Sequence, residues 1–211
     1  MRDEERSTAP DRRGHWDDVY GRSGARSWYQ DEPTPSLEII DALALAPETP
    51  VLDVGAGTST LVDELFGRGF TDVSVIDVSD TAIDSVRRRL GRRDGFHGIV
   101  EDLLTWEPER TYGLWHDRAV LHFFVDPLDR AKYRDVLRKS QQPGGAVIIA
   151  TFGPDGPTTC SGLPVKRWSS EEISEFLGED FIVVETRRQE HVTPAGHVQL
   201  FTWLAATRAD G

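Results

Sequence analysis

The chain has 211 residues, 38% of them hydrophobic and 28% charged, which suits one α/β domain with a substantial core. Its 24 Lys and Arg stand against 36 Asp and Glu, a formal charge of −12. That balance disfavours a nucleic-acid substrate, which needs a basic face for its phosphates. No apolar run approaches the ~18 residues of a membrane span, and MRDEERSTAPDRRGHW has no apolar secretory core. The single Cys160 precludes an intramolecular disulfide, so a cytoplasmic location is expected.

Residues 1–13 read as a charged, mobile head, followed by one domain over 14–211 whose segment 14–46 forms a lid. A short helix is expected from His15 to Tyr20, then a Gly- and Pro-punctuated loop. Leu37, Ile39, Ile40, Leu43 and Leu45 mark a helix that ends before Pro47. Val51 to Val54 reads as a buried strand, and Leu61, Val62, Leu65 and Phe66 share one helical face. Val73 to Ile76 is a second strand. Ser79 caps the next helix and Gly91 stops it, leaving Arg87, Arg88, Arg89, Arg92 and Arg93 as a solvated helix end. Strands follow at 97–100 and from Tyr112 to His116. Asp126-Pro127 opens a helix to about Ser140, and Pro143-Gly144-Gly145 precedes a fifth strand from Ala146 to Thr151. Ser169 with Glu172 forms a capping box. Two long strands, Phe181 to His191 and Val198 to Ala206, flank the turn Thr193-Pro194-Ala195-Gly196 and must run antiparallel. The expected fold is a Rossmann-like, doubly wound, seven-stranded α/β sheet, mostly parallel with a C-terminal hairpin.

The sharpest motif is Val51-Leu52-Asp53-Val54-Gly55-Ala56-Gly57-Thr58. Its glycines allow a tight turn and a close backbone approach to a ligand. Asp77 ends the second strand, placed to accept the ribose hydroxyls of an adenosine ligand. A nicotinamide cofactor would need a small residue at the third glycine position, where Thr60 stands. S-adenosyl-L-methionine carries no phosphate and makes no such demand, and Asp53 is placed to act near its ammonium group.

With these residues in place the chain resembles the class I S-adenosylmethionine-dependent methyltransferase family from about Trp16 to Thr207. VLDVGAGTS resembles its first motif and VSVIDVS, with Asp77 and Val78, its acidic loop. Glu101-Asp102-Leu103 matches the position where an acid meets the adenine amino group. Trp115-His116-Asp117-Arg118-Ala119-Val120-Leu121-His122 resembles the segment bordering the methyl group, and Gln142-Pro143-Gly144-Gly145 the lead into strand five. The resemblance implies a methyltransferase that releases S-adenosyl-L-homocysteine and binds the cofactor through Asp53, Gly55, Ala56, Gly57, Asp77, Val78, Asp102, Leu103 and Asp117. WDDVYGRSGARSWYQ and DRAVLHF are loosely similar to methyltransferase-like lysine methyltransferases, which often carry an acid where His122 stands.

Asp117 is the first candidate to orient or deprotonate an acceptor, with a helix N-cap as its alternative role. His116, His122 and Tyr29 are further candidates, and Trp28 with Tyr29 reads as an aromatic lid. Cys160, His191 and His197 lack metal-ligand spacing, so no metal is expected. The expected partner is a small-molecule substrate of a monomer or homodimer, without membrane or nucleic acid. Protein lysine methylation, or a catalytically silent cofactor-binding subunit, is the alternative.

Overall fold

The computed structural model describes residues 11–22, 28–30 and 32–210. Five strands come first, with helices in every connection but the one from the third to the fourth: β1 (Val51–Val54), β2 (Val73–Asp77), β3 (Phe96–Val100), β4 (Tyr112–Arg118) and β5 (Gln141–Phe152). The hairpin β8 (Phe181–Val192) and β9 (Val198–Arg208) closes the chain, and a small hairpin, β6 (Thr159–Cys160) with β7 (Leu163–Pro164), precedes it. The main sheet runs β3-β2-β1-β4-β5-β9-β8. The first five strands are parallel and β9 is antiparallel to both β5 and β8. This is the expected doubly wound sheet, and its strand order reverses between β1 and β4, where such sheets open a ligand crevice.

Local chemistry sets the helix boundaries. In α4 (Asp80–Leu90), Ser79 accepts the Ala82 N–H and Gly91, at φ +64°, ends the helix. Asp126 caps α5 (Pro127–Ser140) through the Leu128 N–H, with Pro127 in its first turn. Ser169 and Glu172 complete the capping box of α6 (Ser170–Leu177). The helices α2 (Thr34–Ala42) and α3 (Leu61–Gly67) cover one sheet face with Leu37, Ile40, Leu61 and Leu65. The other face packs Leu52, Trp115, Tyr133, Val147 and Leu204. Both faces of the central strands β1, β2 and β4 are therefore buried, whereas the edge strand β3 is mostly half-buried and the edge strand β8 largely exposed.

Several boundaries differ from the sequence expectation, among them that of α2, which starts at Thr34 and stops at Ala42, short of Leu45. The first helix, α1 (Arg12–Gly21), starts inside the segment read as a charged head; residues 1–10 lie outside the described residues, as do 23–27 in the expected loop. Strand β4 continues two residues beyond His116. Strand β5 begins at Gln141 and absorbs Pro143-Gly144-Gly145 as an irregularity opposite the Tyr112/Leu114 step. The β6–β7 hairpin was not foreseen; its turn puts Ser161 (φ +51°) and Gly162 (φ +79°) in left-handed conformations.

Candidate active site

A cavity of about 630 Å³ opens at the C-terminal ends of β1, β2, β3 and β4. Its floor is the glycine loop. Gly55 (φ +57°) and Gly57 (φ +56°) are left-handed. A Cβ on Gly55 would fall 2.2 Å from Val120 Cγ2, and one on Gly57 2.3 Å from the Tyr20 hydroxyl. Asp77 Oδ2 accepts the Gly57 N–H at 2.9 Å and Oδ1 accepts the Ser79 N–H at 2.9 Å. The acid thus ties the loop to the end of β2. Burial pushes its pKa up to about 6 despite those two N–H donors.

On the neighbouring strands, Asp53 lies opposite His116 in the parallel register. Asp53 Oδ1 meets His116 Nδ1 at 2.7 Å, and His116 Nε2 meets Ser36 Oγ at 2.9 Å. All three residues are buried and all line the cavity. The chain therefore fixes the Asp53 carboxyl from below, while its second oxygen, Oδ2, has no hydrogen-bond partner among the described residues. A buried, unsatisfied carboxylate oxygen at a cavity floor is suited to a cationic or N–H-bearing ligand.

Helix α1 lies over the opening. Arg12 bridges Asp102 (3.0 Å) and Asp129 (2.6 Å). Asp17 accepts the Ser79 hydroxyl at 2.6 Å and the Thr81 N–H at 3.4 Å, docking α1 on the start of α4. The Ser79 hydrogen bond holds the Asp17 carboxyl below its usual range. Trp16 stands edge-on to Phe123 at 5.1 Å and to Trp28 at 6.0 Å, and stacks on Tyr20 at 5.9 Å. These rings give the cavity an aromatic roof. The Asp17 hydrogen bonds tie α1 to the start of α4, so Asp17→Ala is expected to raise amide hydrogen exchange in α1 several-fold. Exchange in β1 and β4 should stay unchanged, as hydrogen-exchange mass spectrometry would record.

Asp53, Gly55, Ala56, Asp77, Val78, Asp102, Leu103 and Tyr29 all line the cavity, and Gly57 supports it through Asp77. Asp102 is held on both oxygens, by Arg12 and by the Leu104 N–H at 2.9 Å. Two expected residues are not part of it. Asp117 points to the opposite face of β4 and is fully buried. Its Oδ1 accepts the Val120 N–H (2.8 Å), and its Oδ2 accepts the Leu121 N–H (3.0 Å) and the Tyr133 hydroxyl (2.6 Å). Strand parity is the reason: His116 and Arg118 face the cavity, so the residue between them cannot. His122 is also fully buried, between Phe123 and Phe152. Burial drives its pKa down to about 3, leaving a neutral ring away from the cavity.

Arg12, Trp16, Tyr20, Ser36 and Arg118 are cavity residues that sequence reasoning did not single out. The described residues contain no cluster of three His, Cys, Asp or Glu side chains placed to hold a metal. Cys160 is a buried free thiol on the cavity wall, its pKa raised by burial to about 11. Among the described residues no helix is long and apolar enough to cross a membrane.

No protein-family model matches the chain. Malonyl-[acyl-carrier protein] O-methyltransferase 2 of Ilyobacter polytropus is 24% identical over 106 residues, half of this chain and 40% of that protein. The eEF1A lysine and N-terminal methyltransferase of Mus musculus is 24% identical over 175 residues, 80% of this chain and 24% of that protein. The chain thus spans less than half the length of these relatives. The N-methyltransferase NodS of Bradyrhizobium japonicum WM9, solved with S-adenosyl-L-homocysteine, superposes with a TM-score of 0.69 at 17% identity, covering 92% of this chain and 98% of that one. A structure from work on converting a disulfide bond into a thioacetal group in echinomycin biosynthesis superposes with a TM-score of 0.73 at 21% identity, covering 92% and 91%. The curated relatives and structural neighbours are methyltransferases, and the fold of this chain is the class I methyltransferase fold.

Proposed function

We propose that this chain binds S-adenosyl-L-methionine and transfers its methyl group to a nucleophile of a small molecule. The observation that carries the reading is the fit of the cavity floor to that cofactor. Gly55 and Gly57 hold the left-handed turn of the loop beneath Val120 and Tyr20, where a Cβ would collide, and Asp53 Oδ2, unmatched among the described residues, is an acceptor for an ammonium group. Asp77 keeps acceptor capacity beyond its two backbone bonds for ribose hydroxyls. Asp102 and Leu103 would border the adenine.

When bound, the cofactor supplies an electrophilic methyl group on a sulfonium. The chain's own contribution is placement and exclusion of water, which can account for most of the rate of an in-line displacement. Ser36 and His116 hold Asp53 in one orientation, so its free oxygen is preorganised. Trp16, Trp28, Tyr29 and Phe123 wall the acceptor side with apolar surface. A cavity of this size lies within the ~300–1,000 Å³ common for small-molecule sites. The aromatic roof also favours a small acceptor over an extended polypeptide.

Protein lysine methylation is a second reading, supported by the mouse relative's match to 80% of this chain. Transfer of labelled methyl groups into separated small-molecule and protein fractions distinguishes the two. For the cofactor itself, S-adenosyl-L-homocysteine is expected to raise the melting temperature by several degrees, whereas NAD and NADP leave it unchanged. Stabilisation by NAD without stabilisation by adenosylhomocysteine would overturn the methyltransferase reading.

A further inference from the structure

Arg118 is a cation facing the cavity with no ion-pair partner among the described residues. One of its terminal nitrogens donates to Gln30 Oε1 and the other to the Trp28 carbonyl, both neutral acceptors. Among the described residues no carboxylate forms an ion pair with it, although Asp53 contributes a favourable field from further away. Burial lowers its pKa to about 10, so the guanidinium stays charged at neutral pH. A walled-in, uncompensated charge is costly unless a ligand completes the pair. The two bonds to the lid segment hold the planar fork in place and leave three of its five N–H donors for such a ligand.

The position of Arg118 separates it from the proposed cofactor half. Asp53, Asp77 and Asp102 come from the β1-β2-β3 side of the sheet. Arg118 ends β4 and also lines a recess on the side of β8 and β9, with Pro35, Gln189, Glu190, His191, Phe201 and Trp203. Its partners Trp28 and Gln30 line the main cavity together with Tyr29, Cys160, Leu163 and Pro164, and none of these six is a carboxylate. An acceptor reaching Arg118 from the main cavity meets these neutral side chains around the guanidinium, while the Glu190 carboxylate lies in the adjoining recess and forms no ion pair with it among the described residues.

We propose that Arg118 is the recognition point of the acceptor site and that the methyl acceptor is a carboxylate-bearing small molecule. This assignment rests on the methyltransferase reading and narrows its substrate class. It also counts against a lysine acceptor, because an ammonium beside an unpaired guanidinium is repelled. The same carboxylate chemistry could be supplied by the cofactor's amino-acid end, so the test separates the two sources.

The 211-residue chain, saturated with S-adenosyl-L-homocysteine, is titrated calorimetrically with benzoate and with benzamide. Wild type should bind benzoate about tenfold more tightly than benzamide, the scale of one charge-assisted, partly desolvated pair. Arg118→Gln should abolish the difference, and Gln30→Ala, which removes one strut but not the charge, should keep it. Adenosylhomocysteine affinity should stay within about threefold in both variants. If Arg118→Gln does not fold, Arg118→Lys carries the comparison, with an expected loss of about threefold from the missing fork geometry.

Equal affinity of wild type for benzoate and benzamide overturns the proposal. So does a tenfold or larger loss of adenosylhomocysteine affinity in Arg118→Gln, which would assign the guanidinium to the cofactor. Failure of the wild type to bind adenosylhomocysteine at all would instead remove the methyltransferase reading. The same benzoate and benzamide titrations of the ligand-free chain would then decide the role of Arg118.

Discussion

Replacing Asp77 by Ala is expected to weaken S-adenosyl-L-homocysteine binding by about 2–4 kcal/mol, the scale of removing a charged acceptor from two buried donors. Asp77 is 6% exposed and ends β2 beside the glycine loop. Its oxygens accept the Gly57 and Ser79 N–H groups, so the variant also loses the tie that shapes the loop. Asp77→Asn separates the two effects, because it keeps the shape and loses the charge. Protonation supplies a further check. With a pKa near 6 in the free protein, Asp77 is ionised at pH 7.5 and mostly protonated at pH 5. The carboxylate is the better acceptor, so wild-type affinity should fall as pH drops through 6, and the Asn variant should lack that dependence. Calorimetry at both pH values, with melting temperatures alongside, measures each part. An unchanged dissociation constant in a folded Asp77→Ala variant would remove this residue from the site.

The sequence carries the strands, the caps and the cofactor-side acids because each depends on neighbours within a few residues. Ser79 with Gly91, Asp126 with Pro127 and Ser169 with Glu172 are local devices, and all three cap as expected. Asp53 and Asp77 follow from strand ends joined to a glycine turn. What the local pattern does not carry is strand parity and long-range pairing. Asp117 and Arg118 are adjacent, and one residue decides which of them faces the cavity. The register that sets His116 against Asp53 belongs to two strands far apart in the chain. Arg12 reads as part of a solvated head, yet its partners lie 90 and 117 residues away. Ser36 reads as loop because Pro33 and Pro35 surround it, whereas Pro35 lies in the first turn of α2 and the helix places Ser36 beneath His116.

Asp117 illustrates the cost of that parity, and its substitution is expected to act on stability. Asp117→Ala would strand three donors, the Val120 and Leu121 N–H groups and the Tyr133 hydroxyl. A loss of about 3–5 kcal/mol follows if each buried donor costs at least ~1 kcal/mol. Asp117→Asn is milder and informative through pH. Burial raises the Asp117 pKa to about 6, above the usual value of 3.8. A raised folded-state pKa favours the protonated group, so its stabilisation is complete below about pH 4 and is lost as pH rises through 6. Between pH 5 and pH 7.5, wild type should therefore lose about 1.4 kcal/mol relative to Asp117→Asn, one pKa unit's worth, since most of the interval above 6 adds nothing. Comparing the two proteins cancels Asp77 and every surface carboxylate. Urea unfolding of both at four pH values gives the difference directly. A difference that is flat with pH, or that grows in favour of wild type, would show that the carboxylate is better compensated by its three donors than burial implies. Methyl-transfer turnover of the folded Asn variant should remain within about threefold of wild type, because the side chain does not reach the cavity. A drop of a hundredfold or more with the fold intact would return Asp117 to the reacting centre.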